Sequence, residues 1–158
     1  MNKEILQIKL GLNPYQENYI SELKALPKEI KDEFKRHWEL TKDYALDLRT
    51  GIKWFKATDE NKYSYEEAIE KYSNSLPTKE EFEEAEKHGI RVVLEDFDQR
   101  WYWSSSVVSY NQAFSWYFYG TNGYVNLNIR NLNYSVRYIE RPKVRSGISS
   151  KENSLKYE

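Results

Sequence analysis

One change of rhythm at residue 101 constrains this chain more than any other feature. Before it, apolar residues recur at helical spacing among dense Lys and Glu; after it, they alternate with polar ones. Residues 101 to 140 read WYWSSSVVSYNQAFSWYFYGTNGYVNLNIRNLNYSVRYIE. A side-chain period near 3.6 belongs to helices and a period of two to strands, so the expected class is α+β with small antiparallel sheets. In AFSWYFYG, Phe114, Trp116 and Phe118 share one face, expected in the core. Ser115, Tyr117 and Tyr119 share the other, expected to meet a ligand. Asn122-Gly123 signals a hairpin. Tyr124 to Arg130 is expected as a strand and Ser135 to Ile139 as another, joined by Asn131 to Tyr134.

The preceding residues carry their own punctuation. EILQIKL at residues 4 to 10 alternates like a short strand, and residues 15 to 26 carry a helical stripe. A second helix is expected from Pro27 to about Ala45. Residues 46 to 55 read as two strand pieces around Thr50-Gly51. Ser64 with Glu67, and Thr78 with Glu81, each sit at capping-box spacing ahead of a helix, and Gly89 stops the second of these. IRVVLEDF from Ile90 fits a strand or a helix end. Residues 142 to 158 are polar and are expected as a weakly ordered tail.

Composition excludes several chemistries. There is no cysteine, hence no disulfide, thiolate ligand or cysteine nucleophile. A net charge of −1 gives no global field for nucleic acid or anionic lipid. The first residues alternate apolar with polar, unlike a signal peptide, and no apolar run approaches the roughly 18 residues of a membrane span. The expected location is therefore cytoplasmic or virion-associated, without membrane insertion. His37 and His88 are the only histidines and read as structural. No Ser/His/Asp spacing supports a nucleophilic site, so no catalytic residue is expected. Residues 101 to 139 contain no Asp or Glu, which argues against a lectin-type calcium site there. The acidic cluster Glu95, Asp96 and Asp98 could hold an ion elsewhere, but reads as a solvated loop. No metal or cofactor is expected.

What residues 101 to 140 do contain suits recognition. They hold seven of the fourteen Tyr and six Asn, with no Lys. Tyr and Trp give rigid contact area at low entropic cost, while Ser and Asn give adaptable hydrogen bonds. Asn126, Asn128, Asn131 and Asn133 fit either turn chemistry or binding. Leu127, Ile129 and Leu132 fit either the core or an exposed binding surface.

An ordered series of motifs resembles a known family. It comprises Asp47, Thr50, Gly51, Ile52, Lys53 and Trp54, then the SYEEAIEKY helix. Next come Leu76, Pro77, Thr78, Glu80 and Phe82, followed by Tyr102 to Ser106, Ala113 and Phe114. Gly123 with Val125, and Val136 with Arg137, close the series. This resembles the bacterial and phage domain family typified by the C-terminal domain of the Legionella collagen-like protein, which shares the C-type-lectin-like fold. The resemblance implies a domain over residues 44 to 141 with two family helices. An N-terminal strand and helical extension over residues 1 to 43 would be added to it.

Some members of that family are similar to the variable proteins of diversity-generating retroelements. There, adenines in AAC or AAT codons are replaced, which permits Asn, Tyr, Ser, Thr, Ile, Leu, Val, Phe, Gly, Ala or Asp, among others, but not Trp, Lys, Glu, Gln or Met. Residues 107 to 111 and 117 to 134 fit this rule apart from Arg130, with the fixed family positions Phe118, Gly123 and Val125 among them. The implied function is non-catalytic binding through a diversified surface on a phage, virus or cell. The candidate ligand-binding residues are Val107, Val108, Ser109, Tyr110, Asn111, Ser115, Tyr117, Tyr119, Thr121, Tyr124, Asn126, Asn128, Asn131 and Asn133. The implied partner is a protein or glycan on a host or target cell surface. The alternative is an adhesin or carbohydrate-binding domain of the same fold without diversification.

Overall fold

The computed structural model describes residues 26–56, 59–97 and 100–143, with Glu95 described by its backbone alone. The strand expected at residues 4 to 10, nearly all of the helix at 15 to 26 and the tail beyond 143 lie outside the described residues. The described chain is mixed α and β, with two small antiparallel sheets. Helix α1 (Lys28–Lys35) leads into β1 (Trp38–Leu40), β2 (Tyr44–Asp47) and β3 (Lys53–Phe55). Helices α2 (Tyr65–Tyr72), α3 (Lys79–Lys87) and the single turn α4 (Ile90–Val93) come next, with a 3-10 turn at Glu95–Phe97. Then come β4 (Trp101–Val107), β5 (Phe114–Tyr119), β6 (Tyr124–Ile129) and β7 (Ile139–Glu140). The first sheet runs β1-β2-β3-β7 and the second β4-β5-β6.

The helix expected to run to Ala45 ends at Lys35 instead. Thr41 explains the correction. Its hydroxyl accepts from the backbone N–H of Asp43 at 3.2 Å and Tyr44 at 3.0 Å, a side-chain turn that competes with helix. This turn folds β1 onto β2, placing Trp38 opposite Asp47. Trp38 is then buried, and its indole N–H donates to the His88 carbonyl at 2.8 Å. The boundary expected between residues 43 and 44 thus falls inside a hairpin, and Trp38 of β1 joins the same core cluster as Trp54 and Phe118.

Both predicted capping boxes form. Ser64 and Glu67 cap α2, and Thr78 and Glu81 cap α3, each pair exchanging side-chain and backbone hydrogen bonds. Gly89 comes after α3, and IRVV resolves as the turn of α4. Ser135 to Ile139 is not one strand of the second sheet. Ser135 makes a single parallel bridge to Tyr102, and the chain then crosses to the first sheet, where Ile139 pairs with Trp54.

The second sheet is covered on both faces. On one, Phe118 stacks on Phe82 of α3 at 4.7 Å and meets Phe97 edge-on at 5.6 Å. Tyr102, Trp54, Trp38 and Ile139 belong to the same cluster, so this core lies between the two sheets. On the other face, Trp103 and Tyr117 pack with Tyr65 and Ala68 of α2, and with Leu76 and Val136. The three serines of the Tyr102–Ser106 motif tie β4 down. Ser104 donates to the Trp116 carbonyl at 2.9 Å, Ser105 N–H to the Pro77 carbonyl at 2.8 Å, and Ser106 Oγ accepts from Lys79 N–H at 2.8 Å.

Candidate functional site

Two layers of apolar contact revise the strand faces expected from alternation. Phe118 is fully buried, as expected, but Phe114 and Trp116 are only half-buried. The Lys79 ammonium lies 4.4 Å from the Trp116 ring centroid. Ser115 and Tyr117, expected to face a ligand, are instead in the core at 0% and 9% exposure. The cause is the second layer: α2 and Tyr134 cover the Tyr face, so alternation separates two buried faces rather than core from solvent.

The remaining candidates divide by exposure. Val108 is buried. Thr121 is half-buried, its carbonyl accepts from Arg91 at 3.2 Å, and its own hydroxyl is buried without a partner. Asn128 is half-buried and donates to the Tyr134 hydroxyl at 2.7 Å. Asn111 is exposed, yet its side chain accepts from Ala113 N–H at 3.0 Å, a turn role. Val107, Ser109, Tyr110, Tyr124, Asn126, Asn131 and Asn133 are exposed, and Tyr119 is half-buried. Ile129 and Leu132 are exposed as well, and Leu127 is half-buried.

Register shows which of these meet. Tyr119 lies opposite both Trp101 and Tyr124, and Tyr117 opposite Trp103 and Asn126. Cross-strand partners share a face, so these residues form one aromatic wall. Trp101 is its centre: its ring lies 4.6 Å from Tyr119, 5.0 Å from Tyr117 and 5.4 Å from Tyr134. Tyr134 continues to Trp103 at 4.6 Å. Along this wall exposure rises from 0% at Trp103 to 36% at Trp101 and Tyr124. Burial pushes the Tyr117 and Tyr134 hydroxyls above their ordinary value. Val107 and the 108–113 loop sit at the other end of the sheet, beside Ser115 rather than Tyr119.

Beside Trp101 opens a cleft of about 560 Å³. Three stretches of chain line it: Glu60 and Lys62, Arg100 and Trp101, and Asn133 to Ser135. Backbone bonds fasten them together. Tyr63 and Tyr134 exchange two hydrogen bonds of 2.8 Å, and Ser135 N–H donates to the Trp101 carbonyl at 2.8 Å. Of these lining residues, only Asn133 is among the sequence candidates. Sequence reasoning misses Trp101 because it precedes the strand whose alternation marks the candidates. Its spacing of two from Trp103 is the available signal.

The far end of the wall is pinned from below. Glu86 and Arg91 form a buried bidentate pair at 2.6 and 2.7 Å. Gly123 of the β5–β6 turn, at φ +75°, rests on it; a Cβ there would lie 2.2 Å from Glu86 Oε2. Only glycine satisfies both that dihedral and that approach. His88 engages Asp47 Oδ2 through Nδ1 at 2.7 Å and Glu84 through Nε2 at 3.1 Å, a cross-tie between α3 and β2. Asp96 pairs with the fully buried Arg137 at 3.1 Å, while Asp98 and the Glu95 side chain lie outside the described residues. Among the described residues, no three His, Cys, Asp or Glu side chains gather as metal ligands, and no helix is long and apolar enough to cross a membrane.

No protein-family model matches the chain, and no curated protein matches it.

Proposed function

We propose that this chain is a non-catalytic ligand-binding protein with a C-type-lectin-like fold, and that its exposed positions form a diversified surface of the retroelement type. The observation that carries this reading is the aromatic wall, packed at Trp103 and open at Trp101 and Tyr124. Rigid aromatics anchored in a core are what a recognition surface needs, since little side-chain entropy is lost on binding. The division of positions also supports it. Of the fixed family positions, Tyr102, Trp103, Ser104, Phe118, Val136 and Arg137 are buried, although Ala113 is exposed. Val107, Ser109, Tyr110, Asn126, Asn131 and Asn133 are exposed around that frame, whereas Val108 and Tyr117 are buried and the fixed Phe114 and Trp116 are half-buried.

Joint replacement of Val107, Tyr110, Asn126 and Asn131 by Ser tests the division. The expected cost is within about 0.5 kcal/mol per position, measured by urea unfolding. An unfolded product would make those residues structural and sink the diversified surface. The flanking DNA tests the mechanism: a reverse transcriptase gene and a near-repeat of the stretch encoding residues 102 to 137, differing at adenines, are expected. Their absence would leave the second reading, a non-diversified adhesin or carbohydrate-binding domain. The cleft beside Trp101 favours that reading independently, because it is concave, and its size falls within the range of about 300–1,000 Å³ usual for small-ligand sites.

A further inference from the structure

We propose that β6 is a dimer edge, pairing antiparallel with β6 of a second copy of this chain about a two-fold axis through Leu127. The order β4-β5-β6 leaves β6 outermost, and among the described residues no strand pairs with its far side. Register tells which backbone groups point outward. Arg130 N–H donates to the Ala113 carbonyl at 2.9 Å, and antiparallel bonding alternates along a strand. Val125, Leu127 and Ile129 therefore turn their N–H and C=O groups away from β5. Two of these N–H groups are held by the preceding side chain: Leu127 donates to Asn126 Oδ1 at 2.7 Å and Ile129 to Asn128 Oδ1 at 2.8 Å. The peptide carbonyl of a neighbouring strand is an equivalent acceptor, so the exchange is close to neutral. The Ile129 carbonyl accepts from Leu132 at 3.3 Å and keeps its second lone pair.

Open sheet edges are commonly guarded by charge, proline, a bulge or shortness. β6 spans six residues without Lys, Arg, Asp, Glu or Pro, and it meets β5 with no shift of register. The sequence also selects the partner. A two-fold contact sets each residue against its symmetry mate, so the surface must complement itself. Val125-Asn126-Leu127-Asn128-Ile129 has the same pattern in both directions: apolar, Asn, Leu, Asn, apolar. With the axis at Leu127, Val125 meets Ile129 of the second copy, Asn126 meets Asn128, and Leu127 meets itself. In that register outward backbone groups face outward backbone groups. Leu127 and Ile129 continue the apolar row of Trp116 and Phe114. Ile129 is 45% exposed at the end of this row, and pairing covers it.

Such an axis runs normal to the sheet, so both copies turn the same face to the same side. Tyr124 and Asn126 share the face of the Trp101 wall. Two walls then stand side by side on one sheet of six strands, three from each copy. On the ligand-binding reading above, recognition becomes bivalent, and a target with repeated ligands engages both walls at once.

The test is the mass of the full chain in solution, by sedimentation equilibrium with no ligand present. At tens of micromolar the expected mass is twice that of one chain. Ile129→Lys, at an exposed position, should give a monomer with an unchanged circular dichroism spectrum. Leu127→Lys and Leu127→Glu should each be monomeric alone, because each charge meets its like across the axis, and should form a one-to-one dimer when mixed. If the Leu127 variants fail to fold, Ile129→Lys still decides. A wild type that stays monomeric, or an Ile129→Lys protein that stays dimeric, would overturn the inference. Folded Leu127 variants that dimerise alone, or that stay apart when mixed, would overturn the axis and with it the proposal. Since no ligand enters the measurement, its failure leaves the binding reading of the wall standing, and failure of that reading leaves the dimer.

Discussion

Trp103 and Trp116 lie on neighbouring strands and differ in what surrounds them. Trp103 is fully buried, edge-on to Tyr65 at 5.7 Å, with its indole N–H donating to the Tyr63 carbonyl at 2.8 Å. Trp116 is half-buried under the Lys79 ammonium. Truncating a buried aromatic costs about 3–5 kcal/mol, so Trp103→Ala is expected to lose that much in urea unfolding. Trp116→Ala should lose distinctly less, and an equal loss would mean that the half-exposed ring is a core member. Alternation alone predicts the reverse for β5, because it places Trp116 inside and Tyr117 outside. The strand period is legible in the sequence, but the layer lying on the second face is not. That layer comes from α2 and Tyr134, remote in sequence from β5, and no local pattern encodes it. Arg137 shows the opposite case. The motif marks it as scaffold, and it is fully buried, bonded to Phe55 and Lys56 carbonyls and to Asp96, with its guanidinium 4.2 Å from the Phe97 ring centroid.

At the scale of elements, local chemistry is the readable part. Helices α2 and α3 begin where Ser64 and Thr78 predict, because a capping box is complete within four residues. Helix α1 ends early because Trp38 has a better place in a sheet, a tertiary preference that helical spacing cannot report. Helix α2 is fastened to the preceding segment at Asp59, whose carboxylate accepts from the Tyr63 hydroxyl, from Tyr72 at 2.7 Å, and pairs with Lys71 at 3.2 Å. The Tyr63 hydrogen bond above all, then that from Tyr72, holds the Asp59 carboxyl well below its ordinary value of 3.8. A depressed carboxylate stabilises the fold above the unfolded value, and this contribution fades as pH falls through the folded one. Stability should therefore decline in acid below about pH 4, and Asp59→Asn should flatten that limb. Burial, followed by the Asp59 contact, pushes the Tyr72 hydroxyl up from 10.0 to about 12. Its contribution is complete below pH 10 and is lost as pH climbs toward 12. Urea midpoints across both limbs measure this. An acid limb unchanged in the Asn variant would show that Asp59 does not couple α2 to its neighbour.

For the whole molecule, the closing of the first sheet matters most. Strand β7 returns to pair Ile139 with Trp54, so residues far apart in sequence complete one sheet. The aromatic wall itself is built from Trp and Tyr, and the Asp96 carboxylate is engaged by Arg137. Calcium and EDTA are accordingly expected to leave the melting temperature unchanged. A rise in melting temperature with added calcium would defeat this and direct attention to the 95–98 segment. The floor of the cleft is as non-local as the sheet: it exists only when residues near 60, 100 and 134 have come together. A compound lodged there recognises the folded chain and has nothing to hold in the unfolded one. At a hundredfold excess over its dissociation constant, such a compound adds about 2.7 kcal/mol to the stability of the entire fold. Heat can therefore serve as the reporter in a search for any compound that binds there, with no label and whatever its structure.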